Sequence, residues 1–227
     1  MVNNLNNYYK AYEERYSEVH KNGILWEDIN PTREVLDTIL KYNISKNNKI
    51  LELGCGEGRD AIYLLNKGYN LLAVDYSKSA ILKCNQLTND EYKDNFKQFD
   101  LIEDTLEEQY DFIYSIAVIH MLINKEHRKT FYDFIYNHLK PNGKALIIAM
   151  GDGKTEYSSD TSMAFEKVER ININSNKKMQ VACTSCCIKS LKNMLKEIKN
   201  SGLTILEYKI VDDLTSFDKC EVFVVEK

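Results

Sequence analysis

The stretch Lys49-Ile50-Leu51-Glu52-Leu53-Gly54-Cys55-Gly56-Glu57-Gly58-Arg59-Asp60 is an apolar run that breaks into three glycines at alternate positions and then turns amphipathic. This order predicts a strand, a tight loop and the first turn of a helix. Glycines so spaced let the backbone take positive φ and let a ligand approach where a β-carbon would collide. The next apolar run, Leu71-Leu72-Ala73-Val74, ends in Asp75. A carboxylate is thereby placed at the tip of what should be the neighbouring parallel strand, where a ribose diol is its natural partner.

The spacing of the glycines separates two nucleoside-binding readings. Dinucleotide folds use G-x-G-x-x-G, with the third glycine packing helix against strand. Here the third glycine comes one residue early and Arg59 stands in the fingerprint position, which disfavours an NAD(P)-linked oxidoreductase. The segment E-L-G-C-G-E-G, Glu52 to Gly58, followed by Asp75, resembles motif I and the acidic end of strand two in class I S-adenosylmethionine-dependent methyltransferases. A glycine-rich turn in another doubly wound domain is the alternative. The resemblance implies a Rossmann-like α/β fold with helices on both faces of a mostly parallel seven-stranded sheet. It also implies S-adenosylmethionine as cofactor and methyl transfer to a small-molecule acceptor. A sensor that binds the cofactor without turning it over is the non-enzymatic alternative.

The 227 residues suit one domain spanning 1–227, with an aromatic arm or lid over 1–30 and a substrate-side insertion over 151–187. Only Pro31 and Pro141 occur, and no linker or repeat interrupts the pattern. A net charge of −4 lacks the clustered basic footprint of a nucleic-acid binder. The apolar runs fall short of a membrane span, and six cysteines with no signal peptide read as reduced thiols, so a cytoplasmic protein is expected.

Strand and helix patterns alternate on both sides of the glycine loop. Asn30 and Pro31 suit a helix start, followed by Val35, Leu36, Ile39 and Leu40 at helical period. Ala61, Ile62, Leu64 and Leu65 form the face of the next helix, which Gly68 stops. Ser77 can cap a third, with Ala80, Ile81 and Leu82 inward. Strands are expected at 96–101 and 111–118; a helix over 124–139 and the turn Lys140-Pro141-Asn142-Gly143 lead into a fifth strand, 144–150. Such alternation predicts right-handed parallel crossovers. A last helix around Met194 and Ile198 ends at Gly202, and two runs, 203–211 and 220–225, lie too close in sequence for a parallel connection, so they pair antiparallel.

Methyl transfer from a sulfonium is an in-line displacement in which positioning and water exclusion do most of the work, so the candidates are chiefly binding residues. Gly54, Cys55, Gly56 and Gly58 would line the cofactor and Asp75, with Tyr76 next to it, would take the ribose. Glu52, inside a central strand, calls for a cationic partner, and the resemblance suggests the methionine amino group. Asp100 and Leu101 resemble the pair that meets adenine, and Ser115 and Ile116 lie where the family places further contacts. His120 is a candidate substrate contact or general base, and Asp152 a substrate-orienting group at the tip of strand five.

The arm repeats Leu5, Tyr8, Tyr9, Tyr12, Tyr16 and Val19 at helical spacing before His20, Trp26 and Glu27. Tyr12, Tyr16 and Trp26 could fold over the sulfonium. This arm, then G-C-G-E-G-R, then D-F-I-Y-S is loosely similar to tellurite-resistance and thiopurine-type methyltransferases. In the insertion, 168–173 and 179–183 around a turn at 174–176 suggest a β-hairpin over the site's mouth, presenting Arg170, Gln180 and Thr184. Cys183, Cys186 and Cys187 lack a second ligand pair, so no metal is expected.

Overall fold

A computed structural model describes residues 7–26, 30–172, 175–214 and 217–227; the expectations placed on Leu5, Glu27, Ile173 and Asn174 lie outside the described residues. The apolar run before the glycines forms β1 (Ile50–Leu53), buried on both faces as a central parallel strand must be. It pairs in parallel with β2 (Leu71–Asp75), Glu52 opposite Ala73, and with β4 (Tyr110–Ile116), Glu52 opposite Tyr114. Outside β2 runs β3 (Phe96–Gln98) and outside β4 runs β5 (Leu139–Met150), both parallel.

Two antiparallel strands, β10 (Thr204–Leu214) and β11 (Phe217–Glu226), close the sheet in the order β10-β11-β5-β4-β1-β2-β3. Between β5 and the last helix, β6 (Tyr157–Ser158) pairs with β9 (Cys187–Ile188), and β7 (Lys167–Ile171) with β8 (Lys178–Ala182), the expected hairpin.

Helices cover both faces. On one lie α2 (Arg33–Lys41), α3 (Arg59–Asn66) and α4 (Lys78–Leu87), whose Val35, Ile39, Leu64 and Ile81 meet Ile50, Phe112 and Ile148 from the sheet. On the other, Phe131 and Ile135 of α5 (Lys125–His138) and Met194 and Ile198 of α6 (Leu191–Asn200) meet Leu51, Ile113 and Ile147. Tyr8 and Tyr9 join that second core from the arm, which continues as α1 (Ala11–Lys21).

Several local expectations are corrected. Leu40 and Leu82 are 74% and 50% exposed, because each lies one residue, about 100° of helix, past the buried Ile39 and Ile81; Cys84 takes the inward place in α4. α2 starts at Arg33 with an extended Thr32 before it, not at Pro31, because Asp60 accepts both the Thr32 N–H and its hydroxyl. β3 stops at Gln98 because Asp100 turns the chain: its carbonyl accepts the N–H groups of Glu103 and Asp104. β5 already begins at Leu139, with a register break against β4 that lets Lys140 to Gly143 stand out before pairing resumes at Lys144. The Ser77 hydroxyl caps α4 as expected, accepting the Ala80 N–H.

Among the described residues, no helix is long and apolar enough to cross a membrane, and no cluster of His, Cys, Asp and Glu could hold a metal ion. All six cysteines are free.

Candidate active site

The glycine loop folds back on β2. The N–H groups of Gly54 and Cys55 donate to the Val74 carbonyl at 2.8 and 3.0 Å, and the Gly56 N–H donates to Asp75 Oδ2 at 2.9 Å. Gly54 (φ 74°) and Gly58 (φ 81°) are both left-handed. A β-carbon at Gly54 would fall inside the Val118 side chain, and one at Gly58 would come 2.9 Å from Cys84 Sγ. The second Asp75 oxygen accepts the Ser77 N–H at 2.8 Å. Burial lifts the Asp75 pKa to about 6 against the pull of those two backbone donors.

Asp75, Tyr76, Leu101 and Ile116 face a cavity of about 110 Å³. Asp100 faces it too, but both of its oxygens accept the Tyr9 hydroxyl, at 3.2 and 3.0 Å, and the Ile102 N–H donates to it at 3.0 Å. Burial and this carboxylate hold the Tyr9 phenol far above its ordinary pKa, so Tyr9 stays a donor. Ser115 lies elsewhere. It is buried inside the sheet with its hydroxyl donating to the Leu53 carbonyl at 3.0 Å and lines neither cavity, which corrects the expected cofactor contact.

A larger cavity of about 600 Å³ adjoins the first, and Tyr12, Tyr16, Gly54, Ile116, Ala117 and Met121 line both. Glu52, 3% exposed, faces it and accepts the Tyr114 hydroxyl at 2.9 Å. Cys55 lies on the same wall. Ala117 holds φ 61°, an uncommon conformation for a residue with a side chain, at the tip of β4 between the two spaces.

His120 reaches the larger cavity from a 3-10 turn after β4, with Nδ1 accepting the Met150 N–H at 3.2 Å. Burial, with the Arg128 charge adding to it, lowers its pKa to about 3. The imidazole is therefore neutral, with its proton on Nε2, and the general-base role expected of it is corrected to that of a donor. Asp152 is corrected as well. It accepts the N–H groups of Lys154 and Thr155 at 2.8 and 2.7 Å, which lower its pKa to about 2, and it closes a turn outside both cavities.

Tyr9, Tyr12, Arg15, Tyr16 and Trp26 of the arm line these spaces, and the arm is held at many points. The Tyr8 hydroxyl accepts the N–H groups of Ile123 and Asn124, at 2.8 and 3.0 Å, and lies 3.0 Å from His127 Nδ1. Glu13 accepts the Ser77 and Ser79 hydroxyls and the Ser79 N–H at the start of α4. Glu57, in the glycine loop, takes His20 Nε2 at 2.7 Å and the Trp26 N–H at 2.9 Å. Arg15, 9% exposed, donates to the carbonyls of Ala182 and Cys183 and stacks against Tyr12 and Trp26.

Trp26 and, from the insertion, Arg170, Cys183, Thr184 and Cys186 complete the larger cavity; Gln180 lines neither space. Sequence reasoning missed Arg15, Glu13 and Ala117. The charged Glu13-Glu14-Arg15 between the tyrosines was a usable signal for the first two. A positive φ at alanine leaves no mark in a sequence.

Comparison with known proteins places this geometry. The family model described as tellurite resistance protein TehB matches residues 18–178. A probable S-adenosyl-L-methionine-dependent methyltransferase TehB of Haemophilus influenzae strain 10810 is 31% identical over 102 residues, 44% of this chain and 35% of that protein. The ubiquinone biosynthesis O-methyltransferase of Rickettsia felis is 32% identical over 136 residues, 57% of this chain and 53% of that one. The chain thus spans between about a third and a half of these relatives. Among solved structures, the Burkholderia thailandensis 1,6-didemethyltoxoflavin-N1-methyltransferase, with 1,6-didemethyltoxoflavin and S-adenosylhomocysteine bound, superposes with a TM-score of 0.71 over 98% of this chain and 89% of that one, at 16% identity. The fold is that of the Rossmann-like S-adenosylmethionine-dependent methyltransferases.

Proposed function

Because this chain belongs to the tellurite resistance protein TehB family, we propose that it transfers a methyl group from S-adenosylmethionine to a small-molecule acceptor, leaving S-adenosylhomocysteine. The observation that carries this reading is the pair of joined cavities. The smaller is walled by Asp75, Asp100 and Leu101, and Gly54, Ile116 and Ala117 connect it to a space of about 600 Å³. That is the division a nucleoside with a reactive tail requires. The residues fit the cofactor. Gly54 lines both spaces, and the Asp75 carboxylate, already braced by two N–H groups, has acceptor capacity left for a diol.

In this reading Asp75 takes both ribose hydroxyls. Tyr76, Leu101 and Ile116 enclose the base, and Asp100, held by Tyr9, meets its edge. Glu52, with Gly54 and Cys55, holds the amino-acid end, while Gly56 and Gly58 line neither space and shape the loop behind them. The bound cofactor supplies a methyl group on a sulfonium. Tyr12, Tyr16 and Trp26, carried on an arm that acts as a lid, exclude water and face the cation with their rings. His120 offers its Nε2–H to the acceptor, and Arg170 contacts the acceptor from the hairpin.

Calorimetry with S-adenosylhomocysteine, S-adenosylmethionine and NADH tests the cofactor. Tight binding of the first two and none of the third is expected, and the reverse would overturn the proposal. Product formation with a panel of phenols, amines, thiols and metalloid oxyanions separates an enzyme from a sensor, which would bind and never turn over.

A further inference from the structure

Two guanidinium groups line the larger cavity with no ion pair of their own among the described residues. Arg170 projects from β7 and has no hydrogen bond or ion pair among the described residues. Arg15 is buried and, among the described residues, meets carbonyl oxygens and aromatic rings, while the nearby Arg170 charge adds to the burial that lowers its pKa. The third arginine of the cavity, Arg59, differs: it is matched by Asp60 at 3.4 Å. Two like charges on one wall, one desolvated and neither paired, form a place that an anion would complete.

The surroundings narrow what that anion belongs to. Trp26 and Tyr12 lie 4.9 and 5.3 Å from the Arg15 guanidinium carbon, and Phe217 and Tyr157 add further rings. A small inorganic oxyanion, three or four oxygens about one atom, needs on the order of 100 Å³, taking about 30 Å³ for each water-sized oxygen. The cavity's 600 Å³, even shared with the tail of the cofactor, is far larger. Large aromatic walls around a few placed polar groups suit an organic ligand.

We infer that the methyl acceptor is an aromatic carboxylate, its anionic group held by Arg15 and Arg170 and its ring among the remaining aromatic walls, Phe217 and Tyr157. This rests on the methyl-transfer reading and adds to it the chemical class of the acceptor. Arg15 has Nη1 left to donate, its Nε and Nη2 being taken by carbonyls, and the Arg170 guanidinium can offer a carboxylate the bidentate fork.

Trp26 is the single tryptophan of the chain and stands in the cavity wall, so its fluorescence reports occupancy. Protein saturated with S-adenosylhomocysteine is titrated with benzoate, 4-hydroxybenzoate and 2-aminobenzoate, and with the corresponding amides. The acids should bind at least about tenfold more tightly than the amides. Arg170→Gln should cut that preference severalfold, Arg15 remaining, while calorimetric affinity for S-adenosylhomocysteine stays within about twofold, and Arg170→Lys should restore part of it. Equal binding of acid and amide, a preference undiminished in Arg170→Gln, or selenite competing as well as benzoate would each overturn the inference. Loss of S-adenosylhomocysteine binding in the wild-type chain would instead remove the methyl-transfer reading. The same titration of unloaded protein would still decide whether the arginine pair selects carboxylates.

Discussion

The backbone N–H of Met150 donates to Nδ1 of His120, and this one bond joins the tip of β5 to the turn after β4 and fixes which imidazole nitrogen carries the proton. With its pKa near 3, His120 gains no charge across the physiological range. At saturating cofactor, the rate should therefore show no ionisation between about pH 6 and 8 that disappears when His120 is replaced. His120→Ala should lower kcat about tenfold through one lost donor, and His120→Gln should recover part of it. An acidic limb near pH 6.5 that vanishes in His120→Gln would restore the general base.

Asp75 is the group whose titration should be visible. Its pKa of about 6 means that below this pH the free protein carries a protonated carboxyl where the ribose hydroxyls need an acceptor. Affinity for S-adenosylhomocysteine should be flat from about pH 7 to 8 and fall by up to about tenfold per unit below 6, with proton release on binding in that range. Asp75→Ala should weaken binding about ten- to a hundredfold at pH 7.5, and unchanged calorimetric affinity would sink the ribose assignment.

Glu221 on β11 is fully buried, and neither oxygen has a hydrogen-bond partner among the described residues. Burial, with the Asp152 charge adding to it, raises its pKa to about 7 although Arg128 opposes the shift. Between the ordinary glutamate range and pH 7 the folded chain keeps a proton that the unfolded chain has released, so this group makes stability fall as pH rises through that window. The loss is on the order of 3 kcal/mol. Urea midpoints at pH 5 and pH 8 should converge in Glu221→Gln; an unchanged gap between them would refute this.

Tyr8 holds the arm to the body. Its hydroxyl meets two N–H groups at the start of α5 as well as His127. Tyr8→Phe leaves those buried donors without an acceptor and should cost about 1–3 kcal/mol in a denaturant titration. If the arm closes the cavity, hydrogen exchange across α1 should quicken in the same variant.

How much of this was written in the sequence depends on the distance over which the deciding physics acts. The glycine loop, Asp75, the Ser77 cap and the terminal hairpin were legible because each is set by neighbours a few residues away. Leu40 and Leu82 misled because hydrophobicity alone does not say where a helical stripe ends; the sheet beneath α2 and α4 does. Ser115, Asp152 and the general-base alternative for His120 were misjudged for a related reason. Their chain positions at strand tips were right, but their roles turn on which backbone group each side chain meets, Leu53, Thr155 and Met150 respectively. Arg15 was missed because its carbonyl partners lie 167 and 168 residues away.

That separation has a consequence for how the chain comes to work. Arg15 is made before the sheet, and its anchors at Ala182 and Cys183 follow only after most of that sheet. On the ribosome the arm waits without its seat, and closing so long a loop is among the slower steps of folding. The crevice between β1 and β2 can therefore take shape before its roof does. The wall of the cavity that α1 supplies is completed last, as a segment made before the sheet meets one made after most of it.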